Sequence, residues 1–147
     1  MHSDDPAALL ASVRTVIRLA RIAQQACEEA GLNLAQYRAL NSARDAGRRA
    51  YELAQATAVT RPAVTSLTNG MVKAGLIARE SSKTDGRGVV FVVTEHGIDR
   101  LQEAEQLLLA RFREVLGDAT GTLAALDTVP LELALDEQVD RDFGSRV

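Results

Sequence analysis

The chain has 147 residues, 17 Lys and Arg against 20 Asp and Glu, a formal net charge of -3, and 46% hydrophobic residues, very few of them aromatic. That length allows one core with an assembly region and is too short for two independent enzymes; no run approaches the roughly 20 apolar residues that span a bilayer, and the acidic start MHSDDP lacks a basic leader, so a cytoplasmic protein without membrane contact is expected. The single Cys27 excludes an internal disulfide, and the two histidines stand too far apart for a zinc constellation, so neither a metal nor another cofactor is expected.

In chain order, Ala7 to Ala30 carries Leu9, Val13, Val16, Ala20, Ala23 and Cys27 on one side at helical spacing, and Gly31 ends it. Leu34 to Ala46 reads as a second amphipathic helix before Gly47. Leu53, Ala54 and Thr57 give a third helix its buried face, and Ala58-Val59 marks its end. Thr60 then stands where an N-cap belongs, with Arg61-Pro62 in the first turn, where proline's missing N–H and fixed φ cost nothing. In this fourth helix Val64, Leu67, Met71 and Ala74 face a core, and Gly75 closes it. The opposite stripe is Pro62, Thr65, Ser66, Asn69 and Lys73, without an acid or a large apolar side chain. Short hydroxyl and amide groups suit base edges in a major groove, and Arg61 and Lys73 suit phosphates.

After Gly75 the period changes. Leu76 to Glu80 and Val89 to Val93 are strand-like runs around the polar loop SSKTDGRG, which makes a wing. Asp85 and Arg87, two apart near its tip, can point the same way, and such an arginine is placed to enter a narrow minor groove. Thr94 caps a long helix with Ile98, Leu101, Glu105, Leu108, Phe112 and Val115 along one stripe, widened by Leu107, Leu109 and Leu116. Gly117, Gly121 and Pro130 then break the chain into a short helix near Thr122 to Asp127 and an acidic one near Leu131 to Asp142. The expected fold is mainly α with a small β-hairpin wing: a winged helix-turn-helix flanked by N- and C-terminal dimerisation helices.

Four motifs carry a resemblance to the MarR (multiple antibiotic resistance regulator) family of bacterial transcription factors, from about Leu9 to Leu116. They are Leu53-Ala54 through Val59-Thr60-Arg61-Pro62, the exit Ala74-Gly75-Leu76-Ile77-Ala78-Arg79, the wing Asp85-Gly86-Arg87, and the junction Val93-Thr94-Glu95-His96-Gly97. The resemblance implies an obligate homodimer on a pseudo-palindromic double-stranded DNA operator, a repressor released by a small-molecule effector or an oxidant. It divides the chain into a DNA-binding lobe at 34–93 and dimerisation helices at 1–33 and 94–147. Its DNA-contacting residues fall on Thr60, Arg61, Pro62, Thr65, Ser66, Asn69, Lys73, Asp85 and Arg87. The chain departs from the family at Ser66 and Gly70, where many relatives carry arginines, at Asn69, where they carry an aspartate, and in the wing, where D-R-R has become D-G-R.

Net acidity argues against nucleic acid until the chain is divided. Residues 34–93 hold nine basic and four acidic residues, a net +5, and the remainder holds eight basic and sixteen acidic, a net -8. Such asymmetry presents basic lobes to DNA and keeps acidic arms away. Three rival readings remain. One branch of the resembled family senses hydroperoxides through a lone first-helix cysteine nearer the helix start; Cys27 comes after three turns of buried positions and before Glu28-Glu29, which favours a buried structural thiol over a redox switch. A winged-helix protein-interaction module is a second rival. An enzyme is the third, without a phosphate-cradling loop, a nucleophile constellation or metal spacing to support it. Tyr37 suits a pocket wall or a core equally, and Arg48-Arg49 suits a solvated turn or DNA backbone.

Overall fold

The computed structural model describes residues 5–57, 59–82 and 88–144. Helix α1 (Pro6–Glu29) begins at Asp5, whose carboxylate accepts from the Ala7 N–H, and ends in a Schellman turn in which the Leu32 N–H reaches the Cys27 carbonyl. Leu32 is thereby turned into the core. Helix α2 (Leu34–Ser42) opens on a reciprocal capping box between Asn33 and Gln36. Helices α3 (Ala50–Thr57) and α4 (Arg61–Lys73) pack together, and strands β1 (Ile77–Ser81) and β2 (Val89–Val93) form an antiparallel hairpin that pairs Ile77 with Val93 and Arg79 with Phe91. Helix α5 (Glu95–Leu116) follows and packs along α1.

Two boundaries depart from the sequence reading. Helix α2 stops at Ser42 rather than Ala46, because Arg48 must reach the hairpin. Its N–H donates to the Phe91 carbonyl at 2.9 Å and its carbonyl accepts from Phe91 at 2.7 Å, so the chain leaves the helix early to form an isolated bridge on β2. At the C-terminus a 3-10 turn (Gly117–Ala119) leads into helix α6 (Thr120–Ala124), and helix α7 (Val129–Gly144) begins before Pro130 instead of after it. Thr128 Oγ1 accepts from the Leu131 N–H at 3.3 Å, and Pro130 occupies the first turn, the same local chemistry as Thr60 and Pro62.

Leu32, Leu40, Leu53, Met71 and Leu101 are the largest fully buried apolar side chains, so the core lies where α2, α3, α4 and the first half of α5 meet. Cys27 closes it from α1. The start of α1 is different: Leu9, Leu10, Val13, Val16 and Ile17 lie on one stripe and remain 44–64% exposed among the described residues. Leu109 and Val115 at the far end of α5 are exposed too. Helix α7 returns to the lobe, where the Gln55 amide donates to Asp140 at 2.9 Å. None of the described helices is long and apolar enough to cross a membrane.

Candidate nucleic-acid interface

Helix α4 is amphipathic, and burial of one side fixes the direction of the other. Val64, Thr68 and Met71 are buried and Leu67 is half-buried. Thr68 replaces Ala74 among the expected core positions. Its hydroxyl donates to the Val64 carbonyl at 2.9 Å, which satisfies the polar atom inside the helix, whereas Ala74 is the exposed C-cap. Gly75, at φ +76°, takes the left-handed turn that follows, and the Leu76 N–H donates to the Met71 carbonyl.

The opposite side of α4 is the surface picked out by the sequence. Thr60, Arg61, Pro62, Thr65, Ser66, Asn69 and Lys73 are all exposed. Thr60 Oγ1 accepts from the Ala63 N–H, so it serves as the cap, and Pro62 lies in the first turn. No acid stands on α4, and Lys73 sits in its last turn, where the helix dipole favours a cation. Asp85 and Arg87, assigned to the wing tip, lie outside the described residues.

A side chain beside this surface that the sequence reading quoted only within the exit motif is Arg79. It stands on β1 over the Phe91 ring at 5.7 Å from the centroid, and it donates to Asn69 Oδ1 on α4. The hairpin and the helix are thus joined by one guanidinium. The signal lay in the strand register: once Arg79 is paired with Phe91, their side chains share a face of the hairpin.

Arg48 and Arg49 are tethers rather than a solvated turn. Arg48 donates to the Ser42 carbonyl at 2.7 Å and pairs with Glu52; Arg49 donates to Ser82 Oγ at 3.3 Å, while its N–H donates to Glu52. Arg44 is bound to Glu105 on α5. The basic character of the lobe is therefore partly spent within the chain, and the cations on the outer side of α4 are Arg61 and Lys73, with Arg79 behind them.

Tyr37 is half-buried and donates to Glu105 Oε1 at 3.4 Å, so Tyr37, Arg44 and Glu105 link α2 to α5. Burial, then the Glu105 carboxylate, pushes the Tyr37 phenol above its ordinary value. Cys27 is fully buried, and burial, followed by Glu28, pushes its thiol up. That disfavours the thiolate an oxidant would attack. The described residues contain no group of three or more His, Cys, Asp or Glu able to hold a metal ion.

Residues 30–88 match the MarR family model, a span that runs from the end of α1 to the start of β2. No curated protein matches the chain. Among solved structures, the chain is similar to wild-type MarR from E. coli in its apo form, at 23% identity over 83% of this chain and 93% of that one, with a TM-score of 0.66. It is similar to the transcriptional repressor CouR bound to a 23-mer DNA duplex, at 24% identity over 79% and 86%, with a TM-score of 0.64; CouR from Rhodococcus jostii RHA1 has also been solved with p-coumaroyl-CoA. It is similar as well to the Mycobacterium tuberculosis MarR family protein Rv2887 in complex with salicylic acid, at 25% identity over 95% and 98%, with a TM-score of 0.57. Over residues 30–88 the chain thus matches the MarR family model, and as a whole it has the fold of the solved MarR-family transcriptional regulators.

Proposed function

We propose that the protein is a DNA-binding transcriptional repressor that acts as a homodimer on a pseudo-palindromic operator. The observation that carries this reading is the outer side of α4: seven exposed positions, polar or basic apart from Pro62, without an acid, held outward by the burial of Val64, Thr68 and Met71. In a helix-turn-helix the second helix enters the major groove while the first crosses the backbone, which here assigns α4 and α3. Thr60, Thr65, Ser66 and Asn69 then face bases or phosphates, and Arg61 and Lys73 face phosphates. Asp85 and Arg87 complete the interface from the wing. CouR, which shares the fold, is a repressor that has been solved on a DNA duplex.

The lobe at 34–93 carries the DNA contacts, and the helices at 1–33 and 94–147 carry dimerisation. The exposed apolar stripe of α1 supports this division, because a lone chain leaves five large side chains of one helix in water. Two lobes then meet successive major grooves about one helical turn apart.

Release by a small effector completes the reading. Complexes of CouR with p-coumaroyl-CoA and of Rv2887 with salicylic acid support it by likeness of fold. In this chain a cleft of about 440 Å³, lined by Glu28, Gly31, Gln36, Leu76, His96 and Arg100, lies where α1, α2 and the end of α4 meet α5. A ligand there acts by differential affinity for two lobe spacings, of which one fits the operator.

The test is selection from random DNA duplexes by the purified protein, followed by sequencing, with sedimentation of the complex. A pseudo-palindromic motif bound by two chains supports the reading; absence of any enriched motif removes it.

A further inference from the structure

We propose that Asn69, held by Arg79, reads guanine in the major groove. The inference rests on the DNA-binding reading above and adds the base that one residue recognises.

The argument starts from hydrogen-bond inventory. Arg79 is fixed from two sides, by the Phe91 ring below its guanidinium and by its bond to the Asn69 side chain. A guanidinium has donors and no acceptor, so the amide atom that faces it is the oxygen; the orientation of the Asn69 amide follows from chemistry. What Asn69 keeps for a partner is Nδ2, with two N–H donors, and the second lone pair of an oxygen already turned to the Arg79 cation, on the exposed stripe it shares with Thr65, Ser66 and Lys73.

An asparagine reads adenine by using both ends of its amide: the oxygen accepts from N6 and the nitrogen donates to N7. Here the oxygen is already engaged by a cationic donor. Adenine's N6 amino group would have to approach that same oxygen beside a guanidinium, donor against donor. Cytosine offers an amino donor as well, and thymine a single acceptor next to a methyl group. Guanine alone puts two adjacent acceptors, N7 and O6, on its major-groove edge. Two amide N–H groups match that pair, and the charge of Arg79 behind the amide favours the most electronegative base edge.

Sequences enriched from random duplexes by the wild type, Asn69→Ala, Asn69→Asp and Arg79→Met test the assignment. Wild type is expected to enrich one guanine per half-site, related by the operator's symmetry. Asn69→Ala loses that preference by about tenfold while the other positions keep theirs. Asn69→Asp preserves the bond to Arg79 but has no donor, and loses the preference too. Arg79→Met frees the amide oxygen and moves the preference at that one base pair towards adenine. The proposal is overturned if wild type enriches adenine there, if Asn69→Ala enriches an unchanged motif, or if Asn69→Asp retains the guanine. A wild type that enriches no motif rejects the DNA-binding reading itself, and a normal motif with an unaltered Asn69→Ala profile rejects only this assignment.

Discussion

The carbonyl oxygen of Leu76 occupies the space that a β-carbon on Gly97 would need. The same oxygen accepts from the Thr94 N–H at 3.1 Å, while Thr94 Oγ1 donates to the Gly75 carbonyl and accepts from the Gly97 N–H at 3.0 Å. The exit from α4 and the start of α5 are thus laced together within two residues on either side. Gly97→Ala forces backbone against side chain, which no rotamer relieves. We expect a loss of at least about 1–3 kcal/mol in urea unfolding; unchanged stability would contradict the close approach.

Gly70 gives the opposite case. It lies inside α4, exposed, with open space where a β-carbon would project. Gly70→Ala should stabilise the protein by roughly 0.5–1 kcal/mol through lost freedom in the unfolded chain. Gly70→Arg should in addition tighten DNA binding and steepen its dependence on salt. Thermal unfolding and fluorescence anisotropy with a labelled duplex measure the two effects separately.

Cys27 and Tyr37 set an alkaline limit. Both groups hold their protons more tightly in the folded protein than in the unfolded chain, through burial first and then through Glu28 or Glu105. The contribution of Cys27 is complete below the ordinary thiol range, near roughly pH 8.5, and that of Tyr37 below the ordinary phenol range, near roughly pH 10; each is lost as pH rises through the raised value in the folded state. Cys27→Ala and Tyr37→Phe should each flatten the fall of stability above the pH that belongs to its own group. Because Cys27 is buried as the thiol, peroxide should not release DNA from the wild type any faster than from Cys27→Ser. A peroxide response that Cys27→Ser abolishes would establish the redox switch instead.

The exposed stripe of α1 predicts self-association. Val16→Glu combined with Ile17→Glu places two charges among five exposed apolar side chains. Sedimentation equilibrium should show a dimer for the wild type and a monomer for the variant, with circular dichroism unchanged because neither residue joins the core. A wild-type monomer at micromolar concentration would contradict the assignment of these helices to a dimer.

The elements legible in the sequence are those whose ends are set by local chemistry. Thr60 with Pro62, Gly75 and Thr94 mark boundaries because a cap or a left-handed turn is decided within four residues. Thr128 with Pro130 is the same device, although a proline taken without the threonine before it has the pattern of a break. The end of α2 is out of reach of local pattern, since it is imposed by the bridge between Arg48 and Phe91, which stand far apart in the sequence. Thr68 was missed because its hydroxyl finds its acceptor one turn back, which lets a polar residue occupy a core position. At the interface, the stripe from Pro62 to Lys73 was visible as a period. The Arg79 bond to Asn69 was not, because it depends on how the hairpin stands against the helix.

On the proposed function, the outer side of α4 binds DNA through phosphates as well as bases. The most direct test is the affinity of the protein for its selected duplex across a salt series, beside Lys73→Ala. The logarithm of the association constant should fall linearly with the logarithm of salt, and Lys73→Ala should reduce that slope by about one for each lobe bound. Binding that is insensitive to salt, or a slope unchanged by Lys73→Ala, would contradict this placement of α4 on DNA.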